Sequence, residues 1–162
     1  MKPGVGQHLA PSTLLDRLRD DDPRQASEGQ VRTQHDLAGY RRAVALDLES
    51  LLNTRAVALD ADMRKSYPLA GRSLLSFGIT DLTSLSLRNP SDRARLAMSI
   101  QEAIEIHEPR LDQVRVELDL EQDSTRALRF QVDALLRVHL GRPSVRFDAL
   151  LQLASSTYQI RS

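Results

Sequence analysis

The stretch from residue 104 to 111, IEIHEPRL, is where an apolar pattern with the period of a helix changes to one with the period of a strand. Before it, apolar residues recur at three- and four-residue steps, and after it apolar and charged residues alternate. Pro109 makes this change abrupt, because its ring removes a backbone donor and pushes Glu108 toward an extended conformation. The sequence therefore predicts a helix that ends at a rigid corner and continues directly as a strand.

The corner carries two opposite charges, Glu108 and Arg110, on either side of Pro109. They could form an internal ion pair at a helix stop, which at a surface would be worth only ~0 to 1 kcal/mol. They could instead face a partner, since arginine forks onto carboxylates or carbonyls and glutamate accepts from backbone amides. Residue chemistry leaves both interpretations open, and Glu108, Pro109 and Arg110 are candidate partner-binding residues.

Composition limits the classes of protein to consider. The chain has 162 residues, which suits one domain. Its 22 basic and 22 acidic residues balance, so no overall field attracts nucleic acid or an anionic membrane. With no cysteine, disulfides and thiolate metal sites are excluded. The sequence shows neither a signal peptide nor a run of ~20 apolar residues, so we expect a cytoplasmic location and no membrane insertion.

Residues 1–32 are predicted to form a flexible extension before a single domain at 33–162. Within the extension, Leu14, Leu15 and Leu18 suggest a short helix, followed by a polar linker. This apolar patch could fold back onto the domain or bind a groove on a partner, and both interpretations stay open. Leu14, Leu15 and Leu18 are therefore also candidate partner-binding residues.

Two main helices are predicted within the domain. The first runs from about Thr33 to Asn53, with Asn53 as a left-handed cap. Its apolar stripe comprises Leu37, Tyr40, Val44, Leu48 and Leu51. The second begins at Asn89 and Pro90, a favourable cap and first position, and stops before Pro109. Between them, a mobile connection at 56–68 and short extended pieces around a turn at Gly78 are expected.

Strands follow the corner. Alternation predicts strands at 111–120 and 128–138, and a third short strand around Val145 and Phe147, while the tail from residue 150 has no clear pattern. Each strand has one apolar face and each helix one apolar stripe. The predicted fold is α+β, with two main helices on one face of a small, mostly antiparallel sheet.

Catalytic and metal-binding patterns have little support. His8, His35, His107 and His139 form no ligand pair, and no phosphate-binding loop or nucleophile elbow is present, so neither metal nor cofactor is expected. The alternative is a peptidoglycan glycosidase, which needs two carboxyl groups, one of them a protonated acid. Glu108 suits that role poorly, because a nearby guanidinium favours a charged carboxylate. A structural, non-enzymatic role is preferred.

Four segments together carry a family resemblance. They are STLLDRL with DDP at 12–23, LDLESLLNTR at 46–55, SFGITDL at 76–82 and IEIHEPRL at 104–111. In this order and spacing they resemble the TssE family of baseplate subunits of bacterial type VI secretion systems, which is similar to the small wedge protein of contractile phage tails. The family commonly has a large aromatic residue where Ser50 stands.

The resemblance implies a non-enzymatic part of a contractile injection machine, in the cytoplasmic baseplate with TssF, TssG and TssK. The family is associated with starting polymerisation of the TssB/TssC sheath. Its Glu-Pro-Arg motif, here Glu108, Pro109 and Arg110, is associated with gripping the TssF/TssG wedge core. Sheath strands are expected to extend the sheet at an edge, placed from the sequence at 128–138 or 145–151.

Overall fold

The computed structural model describes residues 10–11, 13, 34–80, 86, 89–119, 127–138, 141–152 and 155–161. Its helices are α1 (Leu37–Leu52), α2 (Ala61–Ser66) and α3 (Pro90–His107), with 3-10 helices at Pro68–Arg72 and Leu74–Ser76. Its strands are β1 (Ala10–Pro11), β2 (Gln34–His35), β3 (Leu111–Asp119), β4 (Ala127–Leu136), β5 (Ser144–Gln152) and β6 (Thr157–Arg161).

The predicted α+β class is confirmed. The proposed helix at Leu14, Leu15 and Leu18 lies outside the described residues, and the division at residue 32 stays a prediction.

The main sheet has four antiparallel strands in the order β3-β4-β5-β6. β1 and β2 form a separate two-residue pair. The expectation of an edge at 128–138 or 145–151 is wrong, because β4 and β5 both lie inside the sheet. The reason is the tail: it forms β6, which pairs with β5 from Asp148 to Gln152 and becomes the edge itself.

The core lies between this sheet and the helices α1 and α3. The side chains that are completely or almost completely buried come from both layers: Val44, Leu48, Leu96, Ile100 and Ile104 from the helices, and Phe130, Val132, Leu136 and Phe147 from the strands. These are the residues that the helical and alternating patterns place inward. In the described ranges, no helix is both long and apolar enough to cross a bilayer.

The ends of the two long helices follow local capping chemistry. α1 begins four residues later than predicted, because Asp36 caps it and accepts from the Gly39 amide at 2.7 Å. α3 begins as predicted, with Asn89 accepting from the Ser91 amide at 3.0 Å and Pro90 at the first position. The predicted left-handed cap at Asn53 is wrong, since its φ is −83° and its ψ −3°. Its side chain is instead engaged with β6.

The connection after α1 is more ordered than its weak periodicity suggests. The expected mobile segment at 56–68 contains α2, and the expected extended pieces from residue 69 include two 3-10 helices. The turn at Gly78 is present, with φ at +115°. It places Ile79 beside the end of α1, where its amide donates to the Thr54 carbonyl at 2.9 Å and its carbonyl accepts from the Ala56 amide at 3.0 Å.

Tyr158 of β6 gives a test of the packing between sheet and helices. Its ring meets Phe130 edge to face, and its hydroxyl is buried with no hydrogen-bond partner in the described part of the chain. Burial raises the pKa of Tyr158 from 10.0 to about 12. The unfolded chain therefore loses this proton first, so the free energy of unfolding should fall above about pH 10, by roughly 2 to 3 kcal/mol in all.

Urea unfolding at pH values between neutrality and about 12 measures this loss. Tyr158→Phe should remove this part of the pH dependence. At neutral pH it should not destabilise the protein, because it deletes a hydroxyl that makes no hydrogen bond. An unchanged alkaline slope in Tyr158→Phe would show that another group causes the loss.

Candidate functional site

The corner between α3 and β3 is built by backbone hydrogen bonds around Pro109. The Glu108 amide donates to the Ile104 carbonyl at 2.8 Å, which closes the last turn of α3. The Leu111 amide then donates to the Glu108 carbonyl at 3.1 Å, and β3 starts at Leu111. The predicted direct passage from helix to strand is confirmed.

The two charges of the corner face each other and reach α1. Arg110 Nε donates to Glu108 Oε1 at 2.7 Å and Nη2 to Glu108 Oε2 at 2.5 Å, a bidentate pair. The same Nη2 donates to Asp47 Oδ2 at 2.5 Å. Glu108 is only 5% exposed and also accepts from the Arg110 amide at 3.1 Å. We call Glu108, Arg110 and Asp47 the corner triad.

Arg110 stays positively charged in this setting. Burial by itself lowers the pKa of its guanidinium, but the hydrogen bonds and charges of Glu108 and Asp47 more than offset this, so the pKa is raised above its ordinary value. The guanidinium carbon also lies 5.8 Å from the centre of the Tyr40 ring, a cation–π arrangement. Nη1 is buried and has no partner among the described residues. The triad therefore fixes one cation between two carboxylates and a ring.

The structure brings together the three residues predicted at the corner, in a way that favours the internal ion pair. Glu108 and Arg110 are turned inward, and only Pro109 is exposed. The carboxylate of Asp47, which the sequence did not connect with the corner, also belongs to the triad. A usable signal was its position seven residues after Tyr40, which puts both on one side of the helix. Leu14, Leu15 and Leu18 lie outside the described residues.

Among the described residues, six of the eight exposed large apolar side chains lie in the segment between α1 and α3. Six large apolar side chains there are 42 to 88% exposed: Val57, Met63, Tyr67, Leu69, Leu74 and Leu75. We call residues 57–75 the apolar connection. Its end is tied to the corner, because His107 Nε2 lies 2.9 Å from the Ser76 carbonyl oxygen and the Phe77 ring meets His107 edge to face. Exposed apolar groups in such number typically mark a contact surface.

The arrangement at the corner does not resemble a glycosidase site. Glu108 and Asp47 are close, but they share one guanidinium and Glu108 is buried. A groove of about 390 Å³ lies elsewhere, on the outer face of the sheet between Asp119, Arg129, Asp148 and Arg161. Within the described ranges no cluster of three or more His, Asp or Glu residues could hold a metal ion. What the triad can do is hold the shape of the corner.

Comparison with known proteins identifies a family. A family model described as "baseplate wedge protein gp25" matches residues 38–140, which run from the start of α1 through the corner to the end of β4 and beyond. The matched region contains every member of the corner triad and the whole apolar connection. Searches of curated proteins and of solved structures return no match.

Proposed function

Since this chain belongs to the family of the baseplate wedge protein gp25, we propose that it is the TssE-type subunit of a bacterial type VI secretion baseplate. The family is one of structural baseplate proteins, and the match across residues 38–140 carries the proposal. The four sequence segments from 12 to 111 support the assignment to the type VI branch. In this role the chain works in the cytoplasm, docks on the TssF/TssG wedge core beside TssK, and helps start the TssB/TssC sheath.

The proposed docking surface is the corner together with the apolar connection. Since Glu108 and Arg110 bind each other and Asp47, their role in docking is to hold the corner in shape, with Pro109 exposed to the partner. The attraction comes from the apolar connection, whose exposed leucines, Leu69, Leu74 and Leu75, would leave water at the interface. Both interpretations of the Glu108-Pro109-Arg110 motif are thus combined. The internal ion pair fixes the shape of the corner, and the surface beside it contacts the partner.

A double variant in the apolar connection, Leu69→Asp with Leu74→Asp, distinguishes docking from folding. Leu74 is 88% exposed and Leu69 is 81% exposed, so the double variant should leave the melting temperature nearly unchanged. At an interface, each new carboxylate would be buried without a partner. We expect recovery of TssF and TssG with the tagged double variant to fall at least tenfold, about 1.4 kcal/mol or more.

The matched control is Gln159→Asp, a carboxylate placed at an exposed position on the opposite edge of the sheet. It should recover TssF and TssG as the unmodified chain does. Full recovery with the double leucine variant would reject the apolar connection as the docking surface. Failure of the unmodified chain to recover either protein, or TssK, from native cytoplasm would reject the proposed function itself.

The second part of the proposal is that the sheet serves as a starting template for the sheath. An exposed strand edge offers unpaired amides and carbonyls, to which an extended segment of another protein can add by backbone hydrogen bonds. Val145→Pro would not test this, because Val145 is buried in the inner strand β5 and the substitution would disrupt the fold. An edge strand has to be tested instead.

A further inference from the structure

The two edges of the main sheet differ in what covers their backbone. At β6, the Asn53 side chain accepts from the Tyr158 amide through Oδ1 and donates to the Tyr158 carbonyl through Nδ2, both at 2.9 Å. Two residues further, Glu49 Oε2 accepts from the Ile160 amide at 3.1 Å. These are the outward-facing groups of the strand, so α1 covers the β6 edge.

The contact at Asn53 copies the bonding of a neighbouring strand. A primary amide offers one acceptor and a donor side by side, as a peptide group does. Asn53 uses both on the same residue, Tyr158, as an adjacent strand would in a hydrogen-bonded pair. Its Nδ2 also donates to the Glu49 carbonyl at 2.8 Å, which fixes the side chain against its own helix. A further strand cannot reach Tyr158 without displacing Asn53.

The β3 edge has no such cover in the described part of the chain. The Leu136 amide donates to the Pro143 carbonyl at 2.9 Å, so even-numbered residues of β4 bond toward β5 and odd-numbered residues toward β3. The odd-numbered residues Asp133, Gln131 and Arg129 stand opposite Arg115, Glu117 and Asp119. Val116 and Leu118 therefore direct their amides and carbonyls outward. No described residue from another element bonds to them.

The side chains of β3 indicate what kind of strand would fit there. Val116 is buried toward the helices, while Arg115 and Glu117 are exposed on the outer face. Asp133, opposite Arg115, is already paired bidentately with Arg146, at 2.7 and 3.2 Å. Glu117 stands opposite the neutral Gln131. Cross-strand pairing thus favours an added strand with an acid beside Arg115, an apolar residue beside Val116 and a base beside Glu117.

We propose that a strand of another protein adds to this sheet at β3 alone, and that Asn53 and Glu49 determine this by closing the β6 edge. The partner is an extended segment with apolar residues at alternate positions and a basic residue in register with Glu117. The inference rests on the proposed function only in taking that segment to be a sheath strand. The closure of the β6 edge by Asn53 and Glu49 is a property of the isolated chain and needs no partner.

Amide hydrogen exchange on the isolated protein tests the closure. The Tyr158 and Ile160 amides should exchange at least tenfold more slowly than those of Val116 and Leu118. Asn53→Ala should speed Tyr158 at least tenfold, and Glu49→Ala should do the same for Ile160. Glu49→Gln keeps an acceptor and should have a smaller effect. The Val132 amide, in the fully buried core, reports whether a variant has lost global stability.

Two results would overturn the closure. One is exchange at Tyr158 and Ile160 that is as fast as at Val116 and Leu118. The other is no acceleration in Asn53→Ala or Glu49→Ala while Val132 stays constant. Neither result depends on any partner, so failure of the closure is distinct from failure of the proposed function.

Exchange in the assembled baseplate with the TssB/TssC sheath tests the site of strand addition. Val116 and Leu118 should become at least tenfold more protected than in the isolated chain, with no change at Tyr158. Glu117→Arg should reduce the number of sheaths formed, whereas the control Arg161→Glu on β6 should not. A sheath that forms with Val116 and Leu118 unprotected would overturn the proposal. Absence of any sheath with the unmodified chain would instead reject the proposed function.

Discussion

Arg110→Ala should lower the free energy of unfolding by about 3 to 5 kcal/mol, one of the two largest losses expected from a single change in this chain. The guanidinium is the donor for both oxygens of Glu108, which is 5% exposed. Without it, a buried carboxylate keeps only the Arg110 amide as a donor at the corner, and Asp47 loses its partner. Urea or guanidinium unfolding followed by circular dichroism measures the loss.

Asp47→Ala is the matched control, because it removes the other carboxylate of the triad but leaves the bidentate pair intact. The Asp47 side chain is about one-third exposed, so its loss should cost only about 1 kcal/mol. In Glu108→Gln with Arg110→Met, the charges are replaced together, and stability should be closer to the unmodified protein than in Arg110→Ala. A loss below about 1 kcal/mol in Arg110→Ala would contradict a structural role for the triad.

Gly78→Ala should destabilise the protein by at least about 3 kcal/mol, through backbone strain of about 1 to 3 kcal/mol together with lost hydrogen bonds. A Cβ built on Gly78 would lie 2.2 Å from the Thr54 carbonyl oxygen, far inside contact distance. The φ of +115° is also unfavourable for any residue with a side chain. The Thr54 carbonyl cannot move freely, since it accepts from the Ile79 amide.

Gly71→Ala provides the control for Gly78→Ala within the same connection. A Cβ at Gly71 would meet no atom within 4 Å, and stability should change by no more than about 0.5 kcal/mol. Thermal unfolding of both variants makes the comparison. Equal melting temperatures would show that the close approach of Gly78 to the end of α1 is not required for folding.

The corner, the two long helices and strands β3 to β5 could be predicted because each has a clear local signal. Pro109 ends α3, Asn89 and Pro90 begin it, and strict alternation marks the strands. These signals come from residues close in sequence. The fold class followed from them, since each element shows a single apolar face.

The missed features depend on contacts between distant residues. Asp47 joins Arg110 across 63 positions, and Asn53 meets Tyr158 across 105. No pattern within α1 shows that a polar residue beside its apolar stripe will bond to a strand near the chain end. The edge strand β6 has only five residues, too few for alternation to stand out. Its pairing with β5 decided which strands are internal, and so the predicted edges were wrong.

The apolar connection was misread for another reason. A helix of six residues with no buried side chain, such as α2, leaves no periodic stripe in the sequence. Its start is set by Asp60, which accepts from the Met63 amide at 2.6 Å. Apart from the buried Leu59, local capping and the turn at Gly78 organise this segment, while Leu69, Leu74 and Leu75 remain exposed.

Helix α1 holds both sides of the molecule at once. Through Asp47 it binds the corner that leads into β3. Through Glu49, two residues further, and its capping residue Asn53, six residues further, it binds the opposite edge strand β6. A force applied to β3 would therefore be transmitted through this helix to β6, so that both edge strands bear the load. We therefore expect the two edge strands of the sheet to resist separation from the rest of the molecule one at a time.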